Sequence, residues 1–176
     1  AEGWQVPLVS VNVSTIQLRG PGFTQTLLDV TQRAGGTPAS LVLEITESQL
    51  LDESLYAIAL ELKNAGFALS IDDFGTGHSS LIKLKRLPVS ELKIDKVFVR
   101  DIVADVNDRE ICATVNALAR TLGLEVVAEG VETKEQLQFL IRMGCERFQG
   151  WLFAPALPPQ QLEEHWLQRQ APHAAQ

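Results

Sequence analysis

The stretch Ala-Leu-Ser-Ile-Asp-Asp-Phe-Gly-Thr-Gly, residues 68–77, combines two features that decide the fold. Its first half is a short apolar run without regular polar alternation, which is typical of a strand covered on both faces in a parallel sheet. Its second half holds two adjacent carboxylates and two glycines, which favour a turn or loop. We therefore predict a buried strand over Ala68–Ile71 that ends at Asp72 and Asp73.

Five further segments have the same apolar character as this strand. They are rich in Val, Leu and Ile, and they lie at Leu8–Val13, Leu41–Ile45, Glu91–Ile94, Glu125–Ala128 and Arg147–Phe153. The segments between them repeat apolar residues at helical spacing and end at Gly66, Gly123 and Gly144, while Thr133 and Gln136 form a capping box. The chain is therefore predicted to alternate strands with helices.

Repeated strand–helix units predict an α/β fold, either a (β/α) barrel or an open doubly wound sheet. No glycine fingerprint for a dinucleotide follows the first strand, which favours the barrel. A closed eight-stranded barrel takes about 250 residues, whereas this chain has 176 and six predicted strands. We expect a (β/α)₈ TIM-like barrel that lacks its N-terminal strands, formed by residues 1–169 and followed by a disordered tail over 170–176.

The composition limits the classes of partner. A formal net charge of −7 argues against a nucleic-acid polymer, which would need a basic surface. No apolar run reaches the roughly 18 residues of a membrane span, and no signal peptide is recognisable, so we expect a cytoplasmic domain without membrane contact. Cys112 and Cys145 are expected to be buried or free thiols, and three scattered histidines make a zinc site improbable.

Polar side chains stand at the end of every predicted strand. The carboxyl ends of parallel strands meet on one face of the fold, so these groups are expected around a single mouth. Crowded carboxylates repel each other unless cations compensate them, and oxygen-only ligands suit Mg²⁺, Mn²⁺ or Ca²⁺. A pair of metals about 4 Å apart is a recurrent device for phosphoryl displacement. The candidate residues are Asn12, Glu44, Asp72, Asp73, Lys93, Asp95, Glu129 and Gln149, with Glu47 and Glu132 just beyond two of the strands.

Each residue taken alone has a structural alternative, and these alternatives stay open at this point. Asp72 and Asp73 could form a solvated turn, Lys93 could simply pair with Asp95 or Asp73, and Asn12 could cap the following turn. Glu47 and Glu132 could be surface groups. A buried and unpaired Glu44 would be costly, so a structural role is harder to sustain there.

The ordered motifs of this chain resemble those of the EAL phosphodiesterase family. They are Val-Asn-Val-Ser (11–14), Leu-Glu-Ile-Thr-Glu-Ser (43–48), Ile-Asp-Asp-Phe-Gly-Thr-Gly-His-Ser-Ser-Leu (71–81), Leu-Lys-Ile-Asp-Lys (92–96), Val-Ala-Glu-Gly-Val-Glu-Thr (127–133) and Gln-Gly-Trp-Leu-Phe (149–153). The resemblance implies a modified (β/α)₈ barrel. It also implies hydrolysis of cyclic di-GMP to linear pGpG with two Mg²⁺ or Mn²⁺ ions and inhibition by Ca²⁺.

The resemblance also implies roles for individual residues. Asn12, Glu44 and Asp72 would bind one metal, and Asp72 would bridge to a second metal held by Asp73, whose environment Glu129 would complete. Lys93 would contact the attacking water and the scissile phosphate, and Asp73 and Glu129 would share the catalytic work.

Other residues are implied to support this centre. Gln149, Glu132 and Asp95 would bind substrate or support the ligands from behind. Glu47 would anchor the loop over 73–80, which couples metal binding to dimerisation in this family. The resemblance therefore also implies a homodimer, with sensory or GGDEF-type domains in the parent chain.

Two departures from the family pattern leave the function with alternatives. The tripeptide Glu-Ala-Leu that names the family does not occur in the chain and is expected before Ala1, while His78 and Trp151 replace usual tyrosines. The leading hypothesis is a cyclic di-GMP phosphodiesterase, with weak activity expected for this stretch alone. The main alternative is a non-catalytic module that binds cyclic di-GMP or a protein partner, and a weaker one is a different (β/α) metal hydrolase.

Overall fold

A computed structural model describes residues 8–51, 54–75 and 81–170. Within them, six strands form one sheet in which every neighbouring pair is parallel. The order across the sheet follows the chain, from the first strand to the sixth. The strands are β1 (Val9–Asn12), β2 (Leu41–Thr46), β3 (Ala68–Phe74), β4 (Glu91–Ile94), β5 (Glu125–Ala128) and β6 (Arg147–Phe148).

This sequential strand order decides between the two architectures that the sequence left open. A doubly wound sheet reverses its order at a switch point, whereas a barrel adds each new strand on the same side. The sheet shows no reversal and is a curled half-barrel, so the predicted TIM-like fold is confirmed.

Four of the helices lie where the apolar periodicity and the end signals predict them. Asp105 caps the longest helix, which ends at Gly123 in the left-handed conformation, and the predicted capping box of Thr133 and Gln136 is present. The helices are α1 (Thr15–Leu18), α2 (Phe23–Arg33), α3 (Ser54–Asn64), α4 (Leu81–Arg86), α5 (Lys96–Arg100), α6 (Val106–Leu122), α7 (Lys134–Arg142) and α8 (Pro159–Gln170), with 3₁₀ turns at Pro38–Ser40 and Glu47–Leu51. Of these, α3, α6, α7 and α8 are the predicted helices, and α1, α2, α4 and α5 are additional.

The apolar core lies between the sheet and its helices. Leu43, Leu69, Ile71, Leu92 and Ile94 from the strands are fully or almost fully buried. Each such side chain contributes roughly 1.5–3 kcal/mol on leaving water. Their helical counterparts include Leu62, Val99, Cys112 and Leu140, and Ile102 joins them from the turn after α5. This packing fixes the central strands and therefore the side chains at their ends.

Two strand boundaries differ by more than one residue from the sequence prediction. The sixth strand was predicted over Arg147–Phe153, but it ends at Phe148, and residues 151–153 form a turn. The turn brings Phe153 back onto Phe148, with ring centroids 6.5 Å apart, so this apolar run packs on itself. The third strand is longer than predicted because it continues through Asp72 and Asp73 to Phe74.

The cysteines and the C-terminal helix agree with expectation in part. Cys112 and Cys145 are both buried free thiols, and burial raises the pKa of Cys112 to about 12. The last helix includes Gln170, and the rest of the predicted tail, like His78, lies outside the described residues. Across residues 8–51, 54–75 and 81–170, no helix combines the length and the apolar character that a membrane crossing requires.

Candidate active site

The carboxyl ends of the central strands bring most of the predicted residues together. Asn12 at the end of β1 is paired in register with Glu44 in β2, and Thr46 is paired with Asp72 in β3. Lys93 in β4 is paired with Val127, two residues before Glu129. Because side chains alternate along a strand, this register places these polar groups on one face of the sheet.

Lys93 stands at the centre of the site. Its buried ammonium lies 2.7 Å from Glu44 Oε1, 2.5 Å from Glu129 Oε1 and 3.6 Å from Asp72 Oδ1. These three carboxylates come from β2, β3 and the end of β5, so the lysine joins three strands. Lys93 therefore pairs with these residues and not with Asp95 or Asp73 alone, which was the structural alternative for it.

The charges in this cluster do not balance. Burial by itself lowers the pKa of Lys93, but hydrogen bonds and charge attraction from Glu129 and Glu44 outweigh burial and raise it, so the amine stays protonated. Burial raises the pKa of Glu129 in spite of the nearby lysine, and the charges of Asp72 and Glu44 add to that rise. One ammonium thus faces three carboxylates in a poorly solvated place.

The register of β3 changes at two consecutive aspartates, Asp72 and Asp73. Neighbouring residues of a regular strand point to opposite faces, but the pairing of β3 with β4 shifts between Ile71 and Phe74. Asp73 has a positive φ of 56°, which Asp tolerates better than most residues, and its N–H donates to Asp72 Oδ1 at 3.0 Å. This β-bulge therefore redirects the chain where the predicted metal ligands stand.

Asp73 and Asp95 form a second acidic pair beside this cluster. Burial raises the pKa of Asp73, and a hydrogen-bonded contact with Asp95 and the charge of Asp72 raise it further. Asp95 follows β4 directly and caps α5, because its Oδ1 accepts the Val97 N–H at 2.7 Å. Asp95 thus contacts the site from the start of a helix and not from a strand.

An open cavity of about 590 Å³ adjoins the acidic cluster. Glu129 belongs to both, since its carboxylate reaches Lys93 and also lines the cavity. The predicted residues Gln149 and Glu132 line it too, as does an exposed Trp151, which the sequence marked as a replacement of a usual tyrosine. Lys96 also lines it and was not singled out from the sequence. The Glu129-Gly130 and Gln149-Gly150 pairs at two strand ends were the available signal, because glycine permits the close approach of these segments to Lys96 and Val131.

Glu47 lies just beyond β2 and reaches across to the end of β3. Its carboxylate is buried, and Oε2 accepts the Gly75 N–H at 2.9 Å. Gly75 directly precedes residues 76–80, which lie outside the described residues. The contact has the form expected of a loop anchor, and the anchoring role itself stays a prediction.

The donor set of this site suits a hard divalent cation. The converging groups are carboxylates, with the exposed Asn12 amide on the neighbouring strand in register with Glu44; all are oxygen donors, and their negative charge exceeds the charge of Lys93. In the described parts of the chain, no three Asp, Glu, His or Cys side chains form a ready-made metal cage. The point where Glu44, Asp72 and Glu129 converge is held by the Lys93 ammonium. The donor atoms therefore suit a divalent cation, and in this arrangement the Lys93 ammonium supplies the positive charge among them.

Comparison with known proteins identifies relatives of this sequence. The family model described as the EAL domain matches residues 2–156. The chain is 42% identical over 156 residues to the bifunctional diguanylate cyclase/cyclic di-GMP phosphodiesterase MucR of Pseudomonas aeruginosa, covering 88% of this chain and 23% of MucR. It is 44% identical over 158 residues to the cyclic di-GMP phosphodiesterase NbdA of the same organism, covering 89% of this chain and 20% of NbdA. The chain therefore spans about a fifth of the length of these curated relatives.

Solved structures show the same fold. The MucR phosphodiesterase in complex with c-di-GMP matches with a TM-score of 0.83 and 43% identity, over 87% of this chain and 63% of that chain. BlrP1 of Klebsiella pneumoniae, solved with manganese and c-di-GMP, matches with a TM-score of 0.76 and 35% identity, over 83% of this chain and 38% of that chain. A calcium and c-di-GMP complex of BlrP1 matches with a TM-score of 0.77 and 34% identity, over the same shares of both chains.

Proposed function

This chain belongs to the EAL domain family, and from that membership we propose that it hydrolyses one phosphodiester bond of cyclic di-GMP, giving linear pGpG, with the help of two divalent cations. The observation that carries the proposal is the Lys93 ammonium held by carboxylates from three strands at the mouth of the half-barrel. The names of MucR and NbdA, both cyclic di-GMP phosphodiesterases, favour an enzyme over a non-catalytic binding module.

The metal ligands in this proposal are the oxygen donors at the strand ends. Asn12, Glu44 and Asp72 would hold one ion, and Asp72 would be shared with a second ion held by Asp73 and Glu129. The ions would be Mg²⁺ or Mn²⁺, and they would lower the pKa of water and neutralise charge on the phosphate. The manganese complex of BlrP1 supports a divalent ion in such a domain.

Lys93 acts as a hydrogen-bond donor in this proposal and not as a base. Its raised pKa keeps the amine protonated at neutral pH, so it can orient the attacking water and stabilise negative charge on the scissile phosphate. Glu129 and Asp73 are the carboxylates that would accept the proton of the attacking water. The attack is in line with the bond that breaks.

The cavity beside Glu129 is the proposed place for one half of the substrate. It combines the polar side chains of Gln149 and Glu132 with the exposed indole of Trp151. An aromatic face and a few polar groups are the usual partners of a nucleobase. Gln149 and Glu132 are therefore assigned to the substrate, and Asp95 supports Asp73.

The wider setting of the domain is also a proposal. The low coverage of MucR and NbdA supports a place within a longer protein with sensory or GGDEF-type domains. A homodimer, inhibition by Ca²⁺ and a cytoplasmic location stay predictions of the sequence.

A turnover experiment tests this proposal. The chain is incubated with cyclic di-GMP and Mn²⁺, with Ca²⁺ and with EDTA, and pGpG is quantified by chromatography beside a longer stretch of the parent protein. We expect pGpG with Mn²⁺ only, and lower rates for the shorter chain because its sheet has open edges. Glu44→Gln should abolish turnover, while Glu125→Gln, at the opposite end of the sheet, should leave it unchanged.

Two results would contradict the proposal. Tight binding of cyclic di-GMP without any turnover by the longer stretch would establish the non-catalytic alternative. Equal turnover by wild type and Glu44→Gln would remove the strand-end carboxylates from the chemistry.

A further inference from the structure

A buried glutamine, Gln136, links two segments that each carry part of the candidate active site. It lies in the first turn of α7 and is 5% exposed. Its Oε1 accepts the N–H groups of Glu132 and Thr133 at 2.8 and 2.9 Å, and its Nε2 donates to the carbonyl oxygen of Arg100 at 3.0 Å. A buried amide that is satisfied from both sides is expensive to replace.

The partners of Gln136 fix which way its amide points. Backbone N–H groups only donate and a carbonyl oxygen only accepts, so the oxygen must face the β5–α7 loop and the nitrogen must face Arg100. Arg100 is the last residue of α5, and Asp95, beside Asp73, is the N-cap of that helix. Gln136 therefore ties the loop after Glu129 to the helix that begins beside the site.

The same helix contacts the same loop at its other end. Gly130 has a φ of +66°, and a Cβ there would lie 2.5 Å from Lys96 Cβ at the start of α5. Glu129 itself donates its N–H to the carbonyl oxygen of Ile94, directly before Asp95, at 3.1 Å. The short helix α5 is thus held against the β5–α7 loop at both of its ends.

We propose that Gln136 is a positioning residue that, by tying α5 to the β5–α7 loop, holds the Glu129 carboxylate in register with Lys93. The functional part of this inference rests on the proposed phosphodiesterase activity. The physical reason is distance: Glu129 must meet the Lys93 ammonium and face the cavity at the same time, and displacement of a reacting group by about 1 Å can cost on the order of 100-fold in rate.

One substitution separates the tie from the helix cap. Gln136→Glu keeps an acceptor for Glu132 and Thr133, and glutamate is a normal capping-box residue, so α7 stays capped. The carboxylate cannot donate to the Arg100 carbonyl oxygen and repels it, so the tie is lost while the cap of α7 is kept. Thr133→Ala is the matched control. It removes the hydroxyl that accepts the backbone N–H of Gln136 and leaves the bond from the Gln136 side chain to the Arg100 carbonyl oxygen in place.

Two readouts are measured on both variants, after thermal unfolding has shown that they fold. The first is hydrogen exchange of the Glu129 amide without substrate, and the second is kcat and KM for cyclic di-GMP with Mn²⁺. For Gln136→Glu we expect amide exchange about 10-fold faster and kcat about 10-fold lower, with KM within about twofold. For Thr133→Ala, the exchange rate of the Glu129 amide and kcat should both stay within about twofold of wild type.

The outcomes separate this inference from the proposed function. Wild-type exchange at Glu129 together with wild-type kcat in Gln136→Glu overturns the inference, and so do equal changes in both variants. If the wild type has no turnover, the proposed function fails, and the exchange comparison alone decides whether the tie exists. If Gln136→Glu does not fold, Gln136→Ala replaces it, with exchange at Glu129 faster than in Thr133→Ala as the supporting result and exchange equal to that control as the opposing one.

Discussion

The sheet carries a charged cluster at each of its two ends, and the clusters differ in burial and balance. At the carboxyl end, the Lys93 ammonium is buried with three carboxylates. At the amino end, Arg147 is 43% exposed and pairs with Glu91 and with an exposed Glu125. Ion pairs in water stabilise little, whereas a buried excess of one charge must be retained for another reason. The difference indicates that the carboxyl end is the candidate site and that the ion pairs at the amino end only join neighbouring strands.

Lys93→Met should give the largest loss of stability. Without the ammonium, the buried Glu44 carboxylate and the partly buried Glu129 carboxylate have no cation, and removing one partner of a buried pair costs about 3–5 kcal/mol. We expect a loss of this size in urea unfolding with EDTA present, and a smaller loss with Mn²⁺. A metal-free variant as stable as wild type would contradict the cation role of Lys93.

The glycines near the two ends offer a second contrast. A Cβ at Gly150 would lie 2.2 Å from the Val131 carbonyl oxygen, whereas a Cβ at Gly123 meets nothing within 4 Å. Gly150→Ala must displace the β5–α7 loop and should cost about 3 kcal/mol. Gly123→Ala carries only the strain of its positive φ, about 1 kcal/mol. Thermal unfolding of both variants measures the difference, and equal costs would show that the loop has room to move.

Added metal should stabilise the folded chain by binding at the carboxyl end of the sheet alone. If the carboxylates bind Mn²⁺, a concentration of 100 times Kd adds about 2.7 kcal/mol, or roughly 5–10 °C in Tm for a domain of this size. Glu44→Gln should lose most of this shift, and Glu125→Gln, at the amino end, should keep it. A shift that both variants retain would place the metal elsewhere.

The sequence predicted the strands and the residues at their ends better than it predicted the contacts between them. Apolar runs and strand-end polarity are local signals, so the order β1 to β6 and the position of Glu44 could be inferred. The bulge at Asp73 depends on pairing with β4, and the turn at residues 151–153 depends on the packing of Phe153 on Phe148. These contacts join segments distant in sequence or depend on tertiary packing, which one sequence does not reveal.

The pH dependence of the metal-free protein should report the uncompensated charge. The pKa of Glu129 is raised above its usual 4.5 in the folded state, so the folded chain binds the proton more tightly than the unfolded chain. Stability should therefore rise as pH falls through the raised pKa toward 4.5, where this gain is complete. The rise should be absent in Glu129→Gln. Urea unfolding across this range with EDTA measures it, and a fall in stability specific to the wild type would contradict it.

Arg147→Met should give the smallest change of the series. Its guanidinium lies 2.6 Å from Glu125 Oε2 and 3.4 Å from Glu91 Oε2, but the pair is solvated, and exposed pairs are worth about 0–1 kcal/mol. Glu91 is buried, so the loss should lie at the upper end of that range, with cyclic di-GMP turnover and the Mn²⁺ shift unchanged. A loss of unfolding free energy as large as that of Lys93→Met would show that the burial of Glu91 outweighs the exposure of Arg147. The two ends of the sheet would then differ only in their number of carboxylates.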